Sequence, residues 1–224
     1  MKKIMDWEKT KEEDEDIKDD SKNDDNDNKN NLSNDNLNID LLKKEEENSL
    51  SQNDSDSTEQ KFFDLSLIDQ FSDSPFFIVN NNKPFFTEDE LNNAKTSYEK
   101  YGELDNLKRA TESIASIGKD LMPTEKREQL SYKPTGWVQN KYDTKLVNSG
   151  YIYNRCHLIG FQLTGENDNP KNLITCTRYM NTEGMLTFEN MIADYIKETG
   201  NHVLYRVTPI FEGDNLLASG ALQE

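Results

Sequence analysis

Only two histidines, His157 and His202, occur in the 224 residues, so any chemistry that needs a side chain titrating near neutral pH has two places to go. His202 sits one residue into an alternating segment, HVLYRVTPIF (202–211), where a hydrogen-bonded structural role is the better reading. His157 differs. It follows Asn154 and Arg155 in a polar break after a short apolar run, so an imidazole and a guanidinium project from neighbouring positions. Imidazole is the side chain already poised to take a proton from water, although for two such residues taken alone ordinary loop polarity is the simpler account. The two cysteines, Cys156 and Cys176, give no disulfide framework. A single bridge and a pair of free thiols both stay open, with small core thiols the commoner arrangement and a redox switch the least favoured.

The elements that must position these residues follow from periodicity. Tyr151, Ile152 and Tyr153 make a short strand candidate, and Leu173–Thr177 a second. Phe188, Met191, Ile192, Tyr195 and Ile196 recur at helical spacing up to Gly200. The order around His157 is therefore strand, loop, strand, helix. HVLYRVTPIF reads as a half-buried strand, EGDN as a turn and LLASGALQE as the start of another strand. Upstream, FFIVNNNKPFF (76–86) reads as a hairpin turning on asparagines, which tolerate left-handed backbone angles. Thr87 with Glu90 fits a capping box, and Leu91, Ala94, Tyr98 and Tyr101 extend a helix to Gly102. Ile114 and Ile117 mark a short strand, while MPTEKRE and KPTGW carry the Pro and Gly of connecting loops.

Hydrophobic residues make up 33% and charged residues 31% of the chain, and the mean hydropathy is −0.95, too polar for a chain that packs along its whole length. The net charge of −17 would oppose polyanion binding if it were spread evenly. Acidic runs such as EEDEDIKDD (12–20) cluster near the N-terminus instead, and beyond Arg109 bases and acids are near balance. Residues 1–61 are expected to form a disordered acidic tail, most simply a solvated spacer, and residues 62–224 the folded domain. No segment approaches the roughly 20 apolar residues of a membrane span. In MKKIMDWEKTKEED, acidic residues stand where a leader's apolar stretch would follow, so no secretion signal is read.

The segment YNRCHLIGFQLTGENDNPKNLITCTRYMN (153–181), followed by the Phe188 helix, resembles the DNA/RNA non-specific endonucleases of the ββα-metal, or His-Me finger, type. The likeness extends from about Phe76 onward through LDNLKRA, LMPTEKRE, KPTGW and GNHVLYRVTPIF. It implies an α+β fold: a central antiparallel sheet with packed helices and a ββα-metal unit at the edge of the active groove. It also implies a magnesium-dependent hydrolase, with manganese as the alternative ion, that cuts phosphodiester bonds of DNA and RNA. Extracellular or cell-surface work and contacts mainly to phosphates are implied with it; the question of a protein inhibitor stays open. By this resemblance His157 is the base that activates water, Asn181 the sole protein ligand to the metal, and Glu189 the carboxylate that orients the metal's waters. Arg155 and Arg109 hold the scissile phosphate, and Asn172 has a supporting role.

The residue types suit that chemistry. Magnesium keeps most of its waters, so one amide oxygen suffices as an anchor. Asn181 and Glu189 are eight residues apart, close to two α-helical turns, which predicts one shared face. Contacts to phosphates alone carry no sequence information, hence non-specific cleavage. Asn154, Cys156 and Val138 stand where the family often has Asp, Gly and His. Family members also continue past ASGALQE, so the domain is expected to stop short of the family's last strands. The alternative function is a catalytically weak relative that only binds nucleic acid or a partner.

Overall fold

The structure, a computed structural model, describes residues 74–142, 145 and 150–224; the acidic segment 1–61 and the expected onset of order at Phe62 lie outside the described residues. The strands β1 (Tyr98–Tyr101), β2 (Ser113–Ile117), β5 (Val203–Ile210) and β6 (Gly220–Gln223) form one antiparallel sheet in the order β1-β2-β5-β6. A separate antiparallel pair joins β3 (Tyr153–His157) to β4 (Leu173–Thr177), with Arg155 opposite Thr175 and His157 opposite Leu173. The short α1 (Glu88–Asn93) precedes β1, α2 (Phe161–Thr164) lies between β3 and β4, and the long α3 (Leu186–Thr199) follows β4. This is the α+β arrangement expected, with β3, β4 and α3 as the ββα unit. All five residues of β2 are buried, as befits a strand paired on both sides. Ile117, Leu158, Ile159, Leu163, Ile174, Ala193, Ile196 and Val207 form the core between the sheet, the hairpin and α3. Gly200 ends α3 in the left-handed region, φ 70°, where the absence of a Cβ removes the steric penalty.

Three expectations change. The asparagine turn forms, with Asn80, Asn81 and Asn82 all at positive φ, but neither flank is a strand. Their partners lie elsewhere: the Phe85 N–H donates to a Glu224 carboxylate oxygen at 2.7 Å, its carbonyl accepts from Arg206 at 2.9 Å, and Phe76 packs edge-on against Phe188 at 5.0 Å. The capping box of Thr87 and Glu90 is present, yet α1 stops at Asn93. Tyr98 and Tyr101 are drawn into β1 by the ladder to β2, where tertiary pairing overrides local helical spacing. His157, finally, is the last residue of β3 rather than part of a break after it.

Cys156 and Cys176 are joined as a disulfide, with Cα atoms 6.0 Å apart. This decides between the bridge and the free thiols that the sequence left open. The bridge crosses from β3 to β4, and both side chains are fully buried. Closing a loop with a sequence separation of 20 should stabilise the fold by about 3 kcal/mol through the unfolded chain. The Cys156→Ala/Cys176→Ala variant should show that loss in urea unfolding, and an unchanged midpoint would mean the bridge adds nothing.

Candidate active site

His157 lies at the end of β3 with 7% of its surface exposed. Its Nε2 is 2.7 Å from the carbonyl oxygen of Asn167. A carbonyl only accepts, so Nε2 carries the hydrogen and Nδ1 carries the lone pair in the neutral ring. Nδ1 is 3.4 Å from Nη2 of Arg127, a group that only donates, so both neighbours select the same tautomer. The ring is thereby held as a base with its acceptor nitrogen beside a guanidinium.

The loop that brings Arg127 there is fastened to the ββ pair. Asn167, whose carbonyl orients His157, also donates its side-chain amide to the Glu128 carbonyl at 3.1 Å. Arg155 Nη1 donates to the carbonyls of Leu130 at 2.8 Å and Tyr132 at 3.2 Å, and its guanidinium lies 5.2 Å from the centre of the Trp137 ring. Thr175, opposite Arg155, donates to the Thr135 carbonyl at 2.8 Å. Asp168 accepts from the Ser131 hydroxyl and from the Ser131 and Tyr132 N–H groups. Burial raises its pKa, but these hydrogen bonds and the charge of Arg155 outweigh that and hold the carboxyl below its ordinary range. Lys126, Arg127 and Lys133 are thus carried on a clamped loop across the side of β3 that bears Arg155 and His157.

Asn172 is fully buried. Its amide closes a two-way bond with one residue, accepting from the Ile159 N–H and donating to the Ile159 carbonyl, each at 2.9 Å, while its own carbonyl accepts from Leu158 N–H at 2.8 Å. It therefore fixes the backbone just after His157. Glu189, 7% exposed, points its carboxylate at Gly160, three residues from His157. Burial together with the charge of Glu189 pushes the phenol of Tyr205 well up.

Asn181 is half-buried in a single π-helical turn, Met180–Met185, that runs directly into α3. The expected shared face of Asn181 and Glu189 assumed α-helical phase throughout. A π turn winds differently, and such turns recur at functional positions.

Arg109 is placed apart from this group. Its Nε pairs with Asp105 at 2.7 Å, its Nη1 donates to the carbonyls of Gly213 and Asn215, each at 2.8 Å, and it stacks on Phe211 at 4.5 Å. It clamps the turn between β5 and β6, and the arginine beside His157 is Arg127. The Pro of MPTEKRE marks a connecting loop and nothing in its pattern singles out Arg127. The one signal there is the pair of adjacent bases, Lys126 and Arg127, in a segment that shares the family likeness.

The donor set bears on which ion would fit. Among the described residues no group of three or more His, Cys, Asp or Glu side chains could hold a metal. The Asn181 amide and the Glu189 carboxylate offer oxygen donors, which do not make a tight cage but are of the kind a hard cation that keeps its water shell takes. His202, as expected, is in a structural group: its Nε2 lies 3.0 Å from the Ser97 hydroxyl, which donates to Asp120 at 2.6 Å. No helix among the described residues is long and apolar enough to cross a membrane.

β3, ending on the oriented His157 and paired with β4, is followed by α3, the order of a ββα unit. The family model for DNA/RNA non-specific endonucleases matches residues 90–222, and the chain belongs to that family, a family of phosphodiester hydrolases. Among solved structures it is similar to NucA from Streptococcus agalactiae. The metal-free form is 23% identical with a TM-score of 0.51, over 58% of this chain and 66% of that one. The magnesium-bound form gives the same identity and TM-score over 58% and 64%. The chain thus spans just under two thirds of NucA, and the likeness is one of fold. The Sda1 nuclease with bound zinc is 27% identical over 56% of this chain and 68% of that one, at a TM-score of 0.47. No curated protein matches the chain.

Proposed function

We propose that this chain is a magnesium-dependent endonuclease that hydrolyses DNA and RNA without base specificity. The observation that carries the reading is the 2.7 Å contact of His157 Nε2 with the Asn167 carbonyl: it keeps the hydrogen on Nε2, so Nδ1 is the atom that takes a proton from the attacking water once Arg127 turns from it to the phosphate. Arg127, beside that nitrogen, and Arg155 hold the non-bridging phosphate oxygens, and their charge stabilises the negative charge that grows there in the transition state. Arg109, whose guanidinium is held at the turn between β5 and β6, is not given this role. Asn181 and Glu189 would hold the divalent ion, Asn181 by its side-chain oxygen and Glu189 through water. Bound there, the ion would supply charge stabilisation at the phosphate and the leaving 3′-oxygen. With the 3′-oxygen as the leaving group, the P–O3′ bond is the one that breaks and the phosphate stays on the 5′ end of one product.

Magnesium is preferred over softer ions because the donors are all oxygen, and magnesium is the ion in one of the similar NucA structures. Manganese is the expected substitute. The buried Cys156–Cys176 bridge supports work outside the reducing cytosol. The test is a substrate panel for the full chain in magnesium: supercoiled plasmid, single-stranded DNA and an unstructured RNA, with product ends sequenced. All three should be cut at dispersed sites and carry 5′-phosphates. Cutting confined to one nucleic acid, or to one motif, would overturn the non-specific reading.

A further inference from the structure

Gly160 opens α2 with φ −60° and ψ 145°, angles that any L-residue adopts without strain. Its backbone therefore does not require glycine. Space does: a Cβ built on Gly160 would overlap both carboxylate oxygens and the carboxyl carbon of Glu189. The backbone around it has little freedom to yield. On one side Ile159 is held in both directions by the buried amide of Asn172. On the other the Gly160 carbonyl accepts from Leu163 N–H at 2.9 Å in the first turn of α2. What would give way is the end of the Glu189 side chain, whose carboxylate is the part the proposed metal site uses.

We infer that Gly160 is a positioning residue for the metal site: held by the Asn172–Ile159 lock, its bare Cα forms the shelf against which the Glu189 carboxylate is set. The inference rests on the role proposed for Glu189 and adds to it the residue that fixes where that carboxylate stands. Asn172 then acts in the same chain, through Ile159 and Gly160, three residues beyond the base His157. A methyl group at position 160 would push the Glu189 carboxylate from where it stands and leave His157 in place.

The experiment is a double-mutant cycle in the full chain between Gly160→Ala and Glu189→Asp, which shortens the side chain by one methylene and makes the missing room. It is read in two ways: the magnesium concentration that half-saturates plasmid cleavage, and the rise in Tm on titrating magnesium chloride without nucleic acid. Gly160→Ala alone should raise the half-saturating concentration about 10-fold, in the range of changes to groups that orient metal ligands, and blunt the Tm rise. In the Glu189→Asp background the same methyl should change either reading less than about 3-fold. An equal effect in both backgrounds, or none in the parent, overturns the inference. If Gly160→Ala alone does not fold, the cycle is read in Tm without metal: folding restored by Glu189→Asp supports the clash, and no restoration refutes it. If Glu189→Gln and Glu189→Asp leave both magnesium readings unchanged, the role of Glu189 itself fails, an outcome distinct from failure of the shelf.

Discussion

His157→Ala is expected to lower kcat for plasmid cleavage by about 10²- to 10⁴-fold, the range for loss of a positioned general base, while DNA binding stays near that of the parent. The two effects separate because the proposal gives phosphate contact to Arg127, Arg155 and the basic loop, and proton abstraction to one nitrogen. The stability cost should be small, about 1 kcal/mol, since the ring gives up its hydrogen bond to the Asn167 carbonyl. Gel-shift affinity in calcium, kcat in magnesium and a thermal melt distinguish the cases. Activity at the parent level in His157→Ala would remove the base from this histidine, and a loss explained by unfolding would leave its role structural.

Asn181→Ala should have the second-largest effect, on metal dependence. On the proposal that its amide oxygen is the direct protein ligand there is no redundancy, so the half-saturating magnesium concentration should rise by at least about 10-fold and cleavage at fixed low magnesium should fall in step. Glu189→Gln should be milder, because a group acting through water is partly replaced by solvent. A magnesium titration in which Asn181→Ala matches the parent would move the ion elsewhere.

The ββα unit was legible in the sequence because its signals are local and mutually consistent. Leu173–Thr177 is bounded as the reading placed it, and α3 ends at the glycine that the pattern marked. Where local pattern and fold differ, distant partners decide. Tyr98 and Tyr101 keep helical spacing with Leu91 and Ala94, but β2 offers them a ladder. The apolar flanks of Asn80–Asn82 look like a hairpin, but Glu224, Arg206 and Phe188 take up their groups. At the site, the resemblance pointed to His157 and Asn172 without showing what each touches. The tautomer of His157 depends on a carbonyl ten residues away, and Arg127 reaches the ring from a loop thirty residues upstream. Neither contact has a periodicity, so neither leaves a trace in sequence pattern. The role of Gly160 is invisible for a related reason: its φ and ψ are ordinary, and only the side chain packed against it shows what its missing Cβ permits.

The central claim, metal-dependent phosphodiester hydrolysis at the His157 site, is tested most directly by incubating the full chain with supercoiled plasmid in four conditions. These are magnesium, excess chelator, chelator followed by restored magnesium, and magnesium with the His157→Ala variant. The account predicts nicked and then linear and fragmented DNA in the first and third, and intact supercoiled plasmid in the second and fourth. Cleavage that persists in chelator, or that is equally fast with His157→Ala, would contradict it.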